Sequence, residues 1–270
     1  MLESVSFILL YPEIFYGMSL SLVLFYGILT VFLYQVGIKS LYFLYNIQSN
    51  NLYIHNAFVC QNVKILSLIL LFFYFLLTLP TININLYVWY NYMELNSFLI
   101  FFKLILVVIS FYFFITLYNY KFIFYEYLFI FLVLFYALFL LMMANNFLLV
   151  FLCLELMNIC VYILLAYKTK NHFSMEIALK YFILSTFVSV FLIIAFLCFY
   201  SSSGLFSLND LILYIQGYAC WIDNFYGELP LKFVIITLGF YFLLFYLFFK
   251  LGVFPLHQWV PDFYEGASLS

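Results

Sequence analysis

Seven apolar runs, most of them about 20 residues or longer, leave this chain few ways to fold. They cover approximately residues 12–36, 63–80, 97–119, 122–143, 147–167, 174–200 and 231–259. As a helix, each is long enough to cross the ~30 Å hydrocarbon core of a bilayer. None alternates apolar and polar residues with period two, so the pattern of a membrane barrel is missing. The charge content decides the class. Only 7% of the 270 residues are charged and 69% are hydrophobic, whereas a soluble domain carries about 25% charged residues. The expected fold class is an all-α integral membrane protein with about seven transmembrane helices.

The segments between the runs differ in character. Tyr45–Asn62 is polar and reads as a loop, while Thr81–Asn96, with Trp89 and its tyrosines, suits a membrane interface. Ser201–Pro230 contains SLNDLILYI, whose Leu/Ile spacing predicts a short helix along the membrane surface. With alternating spans, Lys39, Lys64, Lys121, Lys168 and Lys170 fall on one side, and the opposite loops offer Lys232 together with Glu94, Asp210, Asp223 and Glu228. The positive-inside rule places the lysine side in the matrix or cytoplasm and the N-terminus outside. Arginine is absent and residues with A/T-rich codons dominate, which suggests an organellar genome. Met1 leads directly into apolar sequence without the features of a cleavable presequence. The five cysteines show no paired spacing, and neither a metal site nor a disulfide framework is read from them.

Four charged residues remain deep in apolar sequence: Lys103, Glu155, Lys180 and Lys250. Each costs about 2.5–3.5 kcal/mol at a helix centre, so such groups face a partner or water and mark ion paths by default. Glu155 lies near the middle of FLLVFLCLELMNICVYILLAY, with Asn158 and Tyr162 on its face. An ion-path role competes there with a protonated carboxyl that serves packing alone. Lys180 follows Glu176 by four, so a helical ion pair at an interface competes with function; Ser185 and Ser189 suit close helix packing. Lys103, six residues into its run, reads first as a lysine snorkelling to the outer interface. Lys250 is the strongest case. The apolar sequence continues past it through LGVFPLHQW, where Pro255 removes the bond to the Leu251 carbonyl and Gly252 sits beside the break. Broken helices at membrane depth persist where they are buried in protein or line a wet cavity. His257, of a residue type suited to proton exchange, stands next to that break. Beyond it, His257–Gly266 reads as a polar loop.

LELMNICVYILLAY, SMEIALKYFILSTFVSV and FKLGVFPLHQWVPDFYEGA resemble, in order and spacing, the signature stretches of chain 2 of NADH:ubiquinone oxidoreductase, respiratory complex I. The earlier PEIFYGMSLSLVLFYG is similar to that family's first helix. The family belongs to the antiporter-like subunits related to Mrp-type cation/proton antiporters. The resemblance implies the first part of an inverted-repeat fold with the seventh helix discontinuous, divided as N-terminal helices (residues 1–121) and an incomplete first repeat (residues 122–270). It implies that Glu155 and Lys250 form a coupled pair in a proton half-channel, with Lys180 of the KYF motif and His257 joining proton transfer. It implies membership of an enzyme whose NADH, FMN, Fe–S and ubiquinone sites belong to other subunits; this chain shows no nucleotide loop or cluster ligand set. It also implies a mitochondrial inner membrane location and other membrane-arm subunits as partners. Family members continue past YEGA into further helices, so a separate polypeptide supplying them is expected. An Mrp-type antiporter subunit and a structural subunit without transport are the alternatives.

Overall fold

The computed structural model describes residues 27–29, 31, 52–79, 86–88, 91–119, 125–167, 172–222 and 231–266. The chain forms two compact units, Met1–Met143 and Ala144–Ser270. Tyr125–Met143 packs with the helices that precede it.

In the first unit, α1 (Leu52–Thr78), α2 (Ser97–Asn119) and α3 (Tyr125–Met143) pack on one another. Their interior is aliphatic and aromatic: Val63, Leu71, Tyr74, Val107, Phe114, Leu128 and Phe139 are buried together with Ile28 and Val31. Between α1 and α2, β1 (Leu86–Val88) pairs antiparallel with β2 (Met93–Leu95) in the register Tyr87↔Glu94. Asn91 takes φ 70° in its turn, a conformation asparagine tolerates better than most side chains. α1 begins eleven residues before the expected start at 63, and so Lys64 sits well inside a helix, buried, instead of at the start of one.

In the second unit, α5 (His172–Ser203) is the central element and packs against α4 (Phe147–Ala166), α7 (Leu231–Leu251) and α8 (Trp259–Gly266). Asn146 caps α4 by accepting from the Leu148 N–H at 3.0 Å. Its neighbour Asn145 fixes the start of α6 (Leu208–Ile222), whose Leu208 N–H donates to the Asn145 carbonyl at 2.7 Å. α6 is the short helix expected in SLNDLILYI. Gly239 lets α7 close on α5: a Cβ there would lie 2.8 Å from Phe199 Cε1.

Among the described residues, Ser97–Thr116, Glu126–Met143, Phe147–Ala166, His172–Ser203 and Leu231–Leu251 are long and apolar enough to cross a membrane, and Asn62–Leu76 in α1 is a shorter apolar stretch. The expected span at 12–36 lies outside the described residues apart from 27–29 and 31, which are helical. Hydroxyls within these helices donate to their own backbone, as Ser110 does to the Val107 carbonyl and Ser189 to the Thr186 carbonyl. These serine hydroxyls are thereby satisfied without water, which suits an apolar surrounding. Large apolar side chains such as Phe187, Leu197, Tyr241 and Leu251 are exposed on the outer faces.

Candidate functional site

α7 ends at Leu251 with a Schellman motif. The Gly252 N–H donates to the Phe249 carbonyl at 3.1 Å and the Val253 N–H to the Phe248 carbonyl at 3.0 Å. Gly252 has φ +63°, and a Cβ there would lie 2.6 Å from Val260 Cγ2, so glycine is required twice over. The helix therefore stops at Gly252, before Pro255 is reached. Pro255 lies in the exposed connection that follows, after a cis peptide bond. The chain then turns back into α8, a helix where the sequence suggested a polar loop. Trp259 opens α8 and donates its indole N–H to the Phe249 carbonyl at 3.1 Å, which ties the two sides of the break together.

This ending puts Lys250 in the last turn of α7, where the helix dipole favours a cation. Its ammonium donates to Asn158 Oδ1 and, at 3.5 Å, to the Tyr181 hydroxyl. It also lies 5.8 Å from the centre of the Tyr181 ring and 5.9 Å from that of Tyr246. Asn158 in turn donates from Nδ2 to Glu155 Oε1 at 3.2 Å. Three helices thus contribute one polar chain, Tyr181–Lys250–Asn158–Glu155, with Asn158 buried and Lys250 and Glu155 half-buried. The Tyr246 hydroxyl, beside it, is the buried side-chain oxygen without a hydrogen-bond partner among the described residues. The arrangement holds one cation and one carboxylate in reach of each other through an amide.

Lys180 and His257 stand apart from this chain of bonds. Lys180 is 53% exposed and pairs with Glu176 at 2.8 Å. It lines a cleft of about 340 Å³ with Tyr181, Gln258, Trp259 and Asp262. His257 is exposed, its ring 5.7 Å from that of Phe254. Lys103 is in the other unit and does not snorkel. It is buried in the core, its ammonium 2.9 Å from Met143 Sδ and 5.1 Å from the centre of the Tyr74 ring. The sequence placed Asn158 on the face of Glu155 but gave no sign that it would meet Lys250. Tyr246, four residues before Lys250, carried the one available signal, since i and i+4 share a helix face.

The second unit coincides with a family match: residues 144–270 fit the family described as NADH:quinone oxidoreductase/Mrp antiporter, TM. This part of the chain is similar to that antiporter-like family. The NADH-quinone oxidoreductase subunit N of Herminiimonas arsenicoxydans is 35% identical over 127 residues, covering 47% of this chain and 24% of the relative. Its counterpart from Leptospira interrogans is 37% identical over 125 residues, 46% of this chain and 22% of the relative. The matched segment thus spans about a quarter of the length of these relatives. Two solved structures share the antiporter-like fold over most of the chain. An archaeal respiratory complex, the membrane-bound sulfane sulfur reductase, matches with TM-score 0.64 at 18% identity, covering 93% of this chain and 47% of the other. Respiratory complex I from Thermus thermophilus with bound aureothin matches with TM-score 0.60 at 21% identity, covering 88% and 47%. The chain is therefore a multi-pass membrane protein with an antiporter-like fold.

Proposed function

We propose that the chain is a membrane-arm subunit of NADH:ubiquinone oxidoreductase and contributes part of a proton-translocation path. The observation that carries this reading is the polar chain joining Lys250, at a helix end, to Glu155 through Asn158. Tyr181 both receives the Lys250 ammonium and lines the cleft beside Lys180, so it links the pair to that cleft. Protonation of Glu155 and deprotonation of Lys250 change the field each group experiences, which couples their proton exchange without a redox centre in this chain. Lys180 and His257, both more exposed, exchange protons between the cleft region and the ends of the path. NADH, FMN, Fe–S clusters and ubiquinone are bound by other subunits of the assembly.

The same reading assigns the chain to the mitochondrial inner membrane, with Lys168 and Lys170 facing the matrix. Those two lysines lie outside the described residues. Lys180 and Glu176, exposed on a membrane helix, need cover, because charge facing lipid costs several kcal/mol. Other membrane-arm polypeptides supply it. A mass inventory of the native complex around this chain tests that assignment.

The function is tested with Lys250→Met in the intact membrane complex. NADH oxidation by an artificial acceptor is expected to persist while ubiquinone-linked proton pumping is lost. Native pumping in that variant sinks the proposal. The family's Mrp-type members favour one other reading, a cation/proton antiporter subunit; recovery of the chain with Mrp-type proteins and no NADH-oxidising subunits establishes it instead.

A further inference from the structure

Asn158 occupies an unusual position: it is 1% exposed and its two amide atoms serve opposite charges. Its carbonyl oxygen accepts from the Lys250 ammonium, and its NH2 group donates to Glu155 Oε1 at 3.2 Å. The residue stands on the same helix as Glu155, one turn on, while Lys250 arrives from α7. An amide is suited to this place because its donor and its acceptor are fixed and neither titrates near neutral pH. Reversing it would aim NH2 at the ammonium and oxygen at the carboxylate, two repulsive contacts in place of two attractive ones. The amide thus transmits the charge of each group to the other, yet it passes no proton between them.

We propose that Asn158 is the positioning residue of the site: it aligns Glu155 and Lys250, keeps them from forming a direct ion pair, and carries their electrostatic coupling. The proposal rests on the proton-path reading given above and adds to it the element through which the pair communicates. Direct contact would trap proton and charge in a closed pair; an interposed dipole leaves each group free to exchange its proton on its own side. Hydrogen bonds to charged groups are the strong ones, so the loss of this bridge is large enough to measure.

The test uses Asn158→Leu and Asn158→Asp in the intact membrane complex, with Lys250→Met as reference. Two quantities are read: the rate of ubiquinone-linked proton pumping, and the infrared carboxyl band of Glu155, assigned as the band lost in Glu155→Gln. Asn158→Leu is expected to slow pumping about tenfold, the effect of one bond to a charged group, and to shift the Glu155 band. Lys250→Met should shift that band when Asn158 is present and leave it unmoved when combined with Asn158→Leu. A purely packing role would lower the amount of complex without uncoupling the two side chains spectroscopically. An unshifted band and native pumping in Asn158→Leu overturn the proposal. If Asn158→Leu does not accumulate, the near-isosteric Asn158→Asp reads the same band, and an unmoved band there also overturns it. Loss of pumping in Lys250→Met beside native behaviour of both Asn158 variants defeats the positioning role alone. Native pumping in Lys250→Met defeats the proton-path reading, and the band coupling still decides whether Asn158 bridges the pair.

Discussion

Each unit of this protein holds a lysine inside a membrane-like helix, and the two have different surroundings. Lys103 is 2% exposed and meets a thioether and an aromatic ring, with no carboxylate among its described partners. Lys250 is half-buried, sits at a helix end, and connects through hydrogen bonds to Asn158, Glu155 and Tyr181. Burial of charge is common to both, so burial alone does not identify a transport group. What separates them is a bonded route to a second titratable group and a helix terminus that opens the packing. Lys180 fits neither case, since it pairs with Glu176 on the outside of α5.

The sharpest way to break this comparison is to neutralise the connected pair. Lys250→Met and Glu155→Gln are each expected to cut ubiquinone-linked pumping more than tenfold, because either change removes one charge and leaves its partner uncompensated. Oxidation of NADH by an artificial acceptor should stay near its native rate. If one of the two variants pumps normally, the pair coupled through Asn158 is not part of the path.

A smaller effect is expected where the helix end is built. Gly252→Ala puts a side chain at φ +63° and within 2.6 Å of Val260 Cγ2. The backbone conformation alone costs about 1–2 kcal/mol. Thermal inactivation of the assembled complex should therefore occur at lower temperature, and pumping should fall with it as Lys250 shifts. Adding Val260→Ala relieves the clash and recovers part of the loss, while the cost of the positive φ stays. Full recovery in the double variant would mean that only the clash mattered.

Most of the fold could be read from hydrophobic run length. The spans at 97–119 and 147–167 end within one residue of α2 and α4, because uninterrupted apolar sequence of bilayer length has one common outcome. The errors came where local geometry depends on tertiary partners. The sequence puts the break between Gly252 and Pro255 and attributes it to the proline, whose local effect is plain, whereas a Schellman motif at Gly252, reinforced by Trp259 from the next helix, ends the helix. Depth counted along one helix suggests snorkelling for Lys103, whereas Tyr74 of α1 and Met143 of α3 flank it. The pair of β1 and β2 has too few residues to show a period. For the site, Glu155 and Lys250 were visible as costly charges, but their bridge was not: Asn158 and Lys250 are ninety-two positions apart in sequence.

Trp259→Phe sharpens the account of the helix end with a milder change. It keeps an aromatic ring near Tyr181 and Phe249, with which the indole now lies at 5.2 and 5.4 Å, and removes the N–H that serves the Phe249 carbonyl. The expected loss is about 1 kcal/mol of stability, that of one ordinary hydrogen bond. Pumping is expected to fall less than threefold. A collapse comparable to that of Lys250→Met would show that the indole itself takes part in proton transfer.

The least effect is expected at Lys103, and this is where the comparison is most exposed to failure. Its ammonium sits among Tyr74, Met143 and the apolar core of the first unit, and the thioether is a weak acceptor. Holding a charge in such a place costs several kcal/mol, and replacement of buried charge by an apolar group of similar volume is often neutral or stabilising. Lys103→Met supplies that group: an unbranched chain that fills irregular space and packs well against aromatic rings. The variant should pump at the native rate and resist heat at least as well as the unchanged complex. Lys103→Ala should be less stable, because it removes the same charge but leaves a cavity. The two substitutions together separate charge from volume, which neither does alone. If Lys103→Met instead slows pumping tenfold at native stability, a buried lysine without a bonded carboxylate is a transport group after all, and the distinction drawn between the two units is lost.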